Sequence, residues 1–357
     1  MPNDQAVSYS IAASARAALS TVEPLPGVPK PDPIMVADHV RRSFGGLTAV
    51  NVEHVEIQRG AITALIGPNG AGKTTFFNLI TGFDDANEGT WTFNDRQVAG
   101  TAPYKLARIG MVRTFQLTKA LSRMTVIDNM RLGAKKQTGE RFFAAILPFL
   151  WNSQEKSVGQ KAMGLLERFN LHEKVEDFAG SLSGGQRKLL EMARALMAEP
   201  ELIMLDEPMA GVNPALKQSL LGHIKTMREE GTTVLFVEHD MDMVHDISDW
   251  VIVMAQGEVI AEGPPDTVMK NQAVIDAYLG AHHEAELTDT GESLTEASDG
   301  DSAELHRAIR SDRARRPGQR TRLRNRTRYE CRTARRASRG HHGAAPQVGG
   351  CRGASAG

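Results

Sequence analysis

The 357-residue chain has little cysteine, little net charge and no long apolar run. Its only cysteines, Cys331 and Cys351, lie near the C-terminal end, which leaves the apolar part without a disulfide framework, a zinc site or a thiol nucleophile. Formal net charge is −1, so no global basic field draws nucleic acid, and none is expected as a partner. No stretch reaches the roughly 18 to 20 apolar residues that span a bilayer, so the chain is not expected to cross a membrane by itself. The first residues lack an apolar core behind a basic start, and the cytoplasm is the default location.

Apolar periodicity fills residues 35–280, which predicts one large domain, residues 34–283, between two tails. Residues 1–33 are rich in Ala, Ser and Pro. With Pro24, Pro26, Pro29, Pro31 and Pro33 against helix and sheet alike, they read as a disordered leader. Residues 284–357 begin acidic and turn arginine-rich, with too few apolar side chains for a core. That tail reads as a disordered appendage; a basic arm for anionic lipid or nucleic acid is the alternative. Its arginines come without a single lysine, as in sequence never selected to be protein.

Within the domain, Gly67-Pro68-Asn69-Gly70-Ala71-Gly72-Lys73-Thr74-Thr75 fits Gly-x-x-x-x-Gly-Lys-Thr. It follows the apolar Ala64-Leu65-Ile66 and precedes the helical pattern Phe76-Phe77-Asn78-Leu79-Ile80. Strand, glycine loop and helix make a concave anion site of inward backbone N–H groups and the positive helix end. Lys73 reaches β/γ-phosphates and Thr74 holds Mg²⁺ in such a loop. Far downstream, Leu182-Ser183-Gly184-Gly185-Gln186 heads an amphipathic helix and forms a second anion site. Two phosphate sites so far apart in one chain make sense if two chains pack head to tail, each covering the other's nucleotide.

On these two motifs the chain resembles the ATP-binding cassette family over residues 35–280. The resemblance implies an α/β fold with a RecA-like P-loop core, an antiparallel β-subdomain near the N-terminus and a helical subdomain at about 117–195. It also implies ATP and Mg²⁺ as cofactors, with Ser183, Gly184, Gly185 and Gln186 serving the nucleotide in trans. Leu202-Ile203-Met204-Leu205-Asp206-Glu207 reads as a strand buried on both faces that ends in two carboxylates. By resemblance Asp206 organises Mg²⁺ and Glu207 is the general base for water. His239, after Thr233-Val234-Leu235-Phe236-Val237, matches the switch histidine at the γ-phosphate. Gln116, in Arg113-Thr114-Phe115-Gln116, matches the glutamine that senses Mg²⁺ and water. Phe44, before Gly45-Gly46, sits where the family stacks an aromatic on adenine; packing inside the β-subdomain is its other reading.

After the catalytic glutamate many cassettes read Ser-Ala-Leu-Asp, whereas this chain has Met209-Ala210-Gly211-Val212-Asn213-Pro214. That variant resembles the branched-chain amino acid importer ATPases. Arg113-Thr114-Phe115-Gln116, Val274-Ile275-Asp276-Ala277-Tyr278-Leu279-Gly280 and the long insert at residues 141–163 resemble the larger of that importer's two ATPases, the LivG type. The implied partners are two transmembrane permeases, a second ATPase of the LivF type or a second copy, and indirectly a periplasmic or lipid-anchored solute-binding protein. The implied place is the cytoplasmic face of the cell membrane. Urea or short-amide import, lipopolysaccharide export and a soluble cassette without permease are the alternatives. The apolar Phe142-Phe143-Ala144-Ala145-Ile146-Leu147-Pro148-Phe149-Leu150-Trp151 touches permease or lipid, or packs within the subdomain.

Overall fold

Four short segments of the chain are apolar at nearly every position, and each becomes a strand buried on both faces. The computed structural model describes residues 2–114, 121–135 and 152–279, with backbone alone for residues 2–10, 152 and 153. In it, β3 (Ile62–Ile66), β7 (Leu202–Asp206), β8 (Thr233–Val237) and β9 (Trp250–Ala255) form the middle of a six-stranded sheet. Strand order is β10-β9-β3-β8-β7-β6, with β6 at Met111–Arg113 and β10 at Glu258–Gly263. All neighbours run parallel except the edge pair β9–β10. Parallel strands are covered by helices on both faces, so they lose the polar alternation of a half-exposed strand.

Period-two alternation then distributes the apolar residues between two layers. Ile62, Ala64 and Ile66 of β3, with Ile203, Leu205, Val234, Phe236, Val251 and Val253, face a helical layer. That layer holds α4 (Val126–Arg131), α5 (Asn152–Arg168), α6 (Gly184–Met197), α7 (Pro214–Glu229) and α8 (Met241–Ile247). Leu65, Met204, Leu235 and Ile252 face the other way, toward α2 (Lys73–Ile80) and a second sheet. The second sheet is antiparallel, in the order β2-β1-β4-β5, from β1 (Pro33–Phe44), β2 (Leu47–Gln58), β4 (Glu88–Phe93) and β5 (Arg96–Gln97). A short α3 (Pro103–Ile109) leads into β6. After β10 come α9 (Pro265–Val268) and a helical stretch at residues 272–279. No described helix is long and apolar enough to cross a membrane.

The disordered leader is a wrong expectation for the described residues. Pro2–Leu19 form a helix, α1, whose Ala12, Ala15 and Leu19 are buried at the spacing of one helix face. Arg16 reaches Asp249 at 3.3 Å. Residues 24–32 do stay out of helix and ladder, yet an extended segment can still pack if its polar groups find partners. Here Glu262 accepts from the Val28 N–H and Glu56 from the Lys30 N–H. The Lys30 ammonium pairs with Glu262 at 2.6 Å, both side chains fully buried, and sits 5.3 Å from the Trp250 ring centroid. Trp250 Nε1 donates to the same carboxylate at 2.9 Å. Gln116, the 142–151 apolar stretch and the 284–357 tail lie outside the described residues.

Candidate nucleotide site

Three loops at the C-terminal ends of β3, β7 and β8 meet at one edge of the parallel sheet, the place where open α/β sheets bind ligands. After β3, residues 67–72 turn through Gly67, Gly70 and Gly72, whose φ angles are 147°, 79° and 96°. A Cβ on Gly67 would lie 2.0 Å from the Met254 carbonyl oxygen, and one on Gly72 2.4 Å from that of Ala49. The loop is therefore wedged between the end of β9 and strand β2, and only glycine allows the wedge. Ala71 is buried; Asn69, Gly70 and Thr74 are exposed, with Pro68 and Thr75 between these extremes. Gly72 caps α2 without a side chain, which leaves the first N–H groups of the helix facing outward.

Lys73 Nζ donates back to the carbonyls of Gly67 and Pro68 at 2.6 and 2.9 Å. Burial lowers its pKa, and the nearby Glu207 carboxylate works against that. Lys73 and Glu207, distant in the chain, thus share one field. Asp206 ends β7 buried, and Arg113 at the end of β6 donates to its Oδ2 at 2.7 Å. Glu207 follows in the left-handed region, φ 46°, a conformation that costs a bulky residue about 1 kcal/mol or more. Its N–H donates to Val237 O at 3.1 Å, so the strained turn is tied to β8. His239, beyond β8, is largely exposed and places Nδ1 3.9 Å from Glu207 Oε1. The Thr74 hydroxyl and the Asp206 carboxylate are hard oxygen donors; with phosphate oxygens they make a set that suits Mg²⁺.

Ser183 stands apart. It caps α6 in a reciprocal capping box with Gln186, at 3.2 and 3.0 Å, while Gly184 opens onto free space. Gly185 lies under Leu216, whose Cδ2 is 2.0 Å from the point a Cβ would take. No hydrogen bond joins Ser183, Gly184, Gly185 or Gln186 to residues 67–75 among the described residues. Phe44 ends β1, is about half exposed and belongs to neither buried cluster, so the core-packing reading fails. Its ring carries the Arg42 guanidinium at 4.6 Å. It pairs with Leu47, two residues before the Ala49 that abuts Gly72, which sets the hairpin beside the glycine loop. Asn213 caps α7, its Oδ1 accepting from the Leu216 N–H at 2.9 Å. An aspartate could make the same cap, so the exchange keeps the helix start and removes a charge.

Sequence reasoning assigned no role to three residues that complete the cluster. Glu238 is buried, its pKa raised by that burial, and it accepts from the Met209 N–H at 3.0 Å. It holds the turn after Glu207 to the turn after β8. Lys188, one helical turn into α6, points back to the Glu207 carbonyl oxygen at 3.3 Å. Burial lowers its pKa against the pull of Glu191, Glu238, Asp206 and Glu207. Arg113 was visible only as part of a four-residue pattern. The signal for all three was polarity in apolar surroundings, which does not by itself name a partner.

Known proteins give this geometry a context. Residues 50–210 match the model of the family described as "ABC transporter", and residues 258–284 that described as "Branched-chain amino acid ATP-binding cassette transporter". The probable branched-chain amino acid transport ATP-binding protein LivG of Archaeoglobus fulgidus is 40% identical over 248 residues, 70% of this chain and 96% of that one. The high-affinity branched-chain amino acid transport ATP-binding protein LivG of Escherichia coli is 39% identical over 251 residues, 70% and 98% of the two chains. Among solved structures, the ADP conformation of an ATP-binding cassette of an ABC transporter has a TM-score of 0.60 at 34% identity, covering 70% of this chain and 99% of that one.

Proposed function

This chain belongs to the ATP-binding cassette family of ABC transporter ATPases, and from that premise we propose that it drives import of branched-chain amino acids. The observation that carries the proposal is a likeness spanning almost the whole of two LivG proteins, joined to a second family match at residues 258–284. The chain binds and hydrolyses ATP. Its membrane association comes through two permease subunits at the cytoplasmic face, since it has no spanning helix among its described residues. Residues 34–283 act as the cassette, with the helical subdomain at about 117–195, and a LivF-type ATPase or a second copy supplies the other half. A solute-binding protein delivers the amino acid to the permeases.

In this reading the N–H groups of residues 67–75 and the Lys73 ammonium cradle the β/γ-phosphates, and Phe44 stacks on adenine. Thr74 and Asp206 hold Mg²⁺, which neutralises phosphate charge as it develops. Glu207 takes a proton from the attacking water, helped by its left-handed backbone, which presents the carboxylate beyond the strand end. His239 orients the γ-phosphate from the opposite loop, and Gln116 reports metal and water to the helical subdomain. Ser183, Gly184, Gly185 and Gln186 of the facing cassette close the site. ATP therefore bridges two subunits, and its hydrolysis removes the bridge and lets the permeases switch.

The test is initial-rate uptake of labelled leucine at low concentration in a deletion strain, beside labelled urea. Loss of leucine uptake, restored by the wild-type gene and not by Lys73→Ala, is the expected result. Normal leucine uptake with lost urea uptake would move the chain to the amide branch; no change in either would end the importer reading.

A further inference from the structure

One deeply buried polar contact at the site belongs to a residue that the catalytic scheme leaves idle. Arg113 and Asp206 are about nine-tenths buried or more, with side-chain exposures of 5% and 7%, and one guanidinium nitrogen donates to Asp206 Oδ2 at 2.7 Å. The other donates to Asn78 Oδ1 at 2.8 Å and to Thr81 Oγ1 at 3.0 Å, at the far end of the helix that begins with Lys73. Thr81 donates its own proton to Phe77 O, so its lone pair is the part that faces the arginine. Phe77 and Phe83 lie against the guanidinium, each ring centroid 5.5 Å from its central carbon. A planar cation with fixed donors is held on two sides and aimed at one oxygen of the acid. Arg113 is also three residues ahead of Gln116 in the chain.

We propose that Arg113 is the positioning residue of the metal-binding acid. It occupies Oδ2 of Asp206, leaves Oδ1 to the phosphate side, and joins β6, the Asp206 strand and the Lys73 helix in one charge-assisted network. The inference rests on the proposed metal role of Asp206. Two consequences follow from electrostatics and geometry together. A positive charge at 2.7 Å competes with the metal for the carboxylate, so its removal leaves a more negative acid and tighter metal binding. The freed carboxylate also rotates, so turnover falls even as the metal is held more firmly.

The experiment compares wild type with Arg113→Met, Arg113→Lys, Asn78→Ala and Asp206→Asn in the full chain. Binding of Mn²⁺ to the ATP complex is read by electron paramagnetic resonance, nucleotide affinity without metal by fluorescence titration, and kcat and KM by steady state. For Arg113→Met the expected result is at least threefold tighter Mn²⁺, metal-free ATP affinity within twofold of wild type, and kcat down tenfold or more with KM little changed. Arg113→Lys keeps the charge but not the fork, so it leaves Mn²⁺ affinity near wild type and recovers only part of kcat. Asn78→Ala loosens the far anchor without stranding a buried acid and shifts both readouts the same way, about twofold. Unchanged or weaker Mn²⁺ binding in Arg113→Met overturns the proposal; if that variant does not fold, unchanged Mn²⁺ affinity and kcat in Asn78→Ala overturn it. Asp206→Asn separates the premise: should it keep wild-type Mn²⁺ affinity, the metal role of Asp206 fails, whereas loss there with no effect at Arg113 sinks this inference alone.

Discussion

Two glycine-rich loops in this chain each stand at the start of a helix, and they are held in different ways. The loop at residues 67–72 is fixed by its own chain: its glycines take left-handed angles, press on the Met254 and Ala49 carbonyls, and its lysine folds back onto Gly67 and Pro68. The loop at residues 183–186 is an ordinary capping box with nothing across from Gly184. The first is preorganised before any ligand arrives. The second has its backbone satisfied and one open face, which suits a surface that meets its ligand on another subunit. The difference teaches that an anion site can be built by strain inside a chain or by exposure at its edge, and that the two fail differently under mutation.

The largest effect should come from the residue between the two sites. Glu207→Gln keeps the phosphate cradle and removes the base, so turnover falls by about 10² to 10⁴ while ATP affinity stays, and an ATP-bound dimer accumulates. Steady-state hydrolysis within a few-fold of wild type would break the comparison at its centre. Next in size is Gly72→Ala. It adds a Cβ 2.4 Å from the Ala49 oxygen at a φ of 96°, a strain of roughly 1 to 3 kcal/mol, so ATP affinity by calorimetry drops about 10- to 100-fold. Phe44→Ala removes a half-exposed ring and lowers ATP affinity by roughly 1 kcal/mol or slightly more, the low end of a base stack, with melting temperature unchanged. A large drop in melting temperature with normal affinity would return Phe44 to a packing role. The smallest effect on the isolated chain is Gly184→Ala, since a Cβ there meets nothing. Melting temperature and ATP affinity should match wild type while hydrolysis by the assembled dimer is lost; weaker ATP binding by the lone subunit would show that the loop serves its own chain.

Much of this site was legible because its elements are local. The four buried strands are almost continuously apolar words; Asp206 ends one, Glu207 and His239 follow one within two residues, and Lys73 follows one after a glycine loop, so strand ends predict their convergence. What failed to show was made by distant pairs. Lys30 gave no signal of its own because Glu262 lies 232 positions away. Arg113 looked like a subfamily marker because Asp206 and Asn78 are remote from it in sequence. Asn213 looked like a lost charge because its capping bond is invisible until Pro214 starts a helix.

The tie between Lys30, Glu262 and Trp250 has a bearing on how this protein can be recombined. Both charges sit where water does not reach, so each is tolerable only in the other's company. A chimera that takes residues 1–33 from one relative and the body from another must move Lys30 and Glu262 as a single heritable unit. An expression clone begun at the start of the cassette proper would leave Glu262 as a buried acid beside Trp250 without its cation. The first strand of the β-subdomain is therefore the wrong place to cut this gene, and the segment ahead of it travels with the far edge of the sheet.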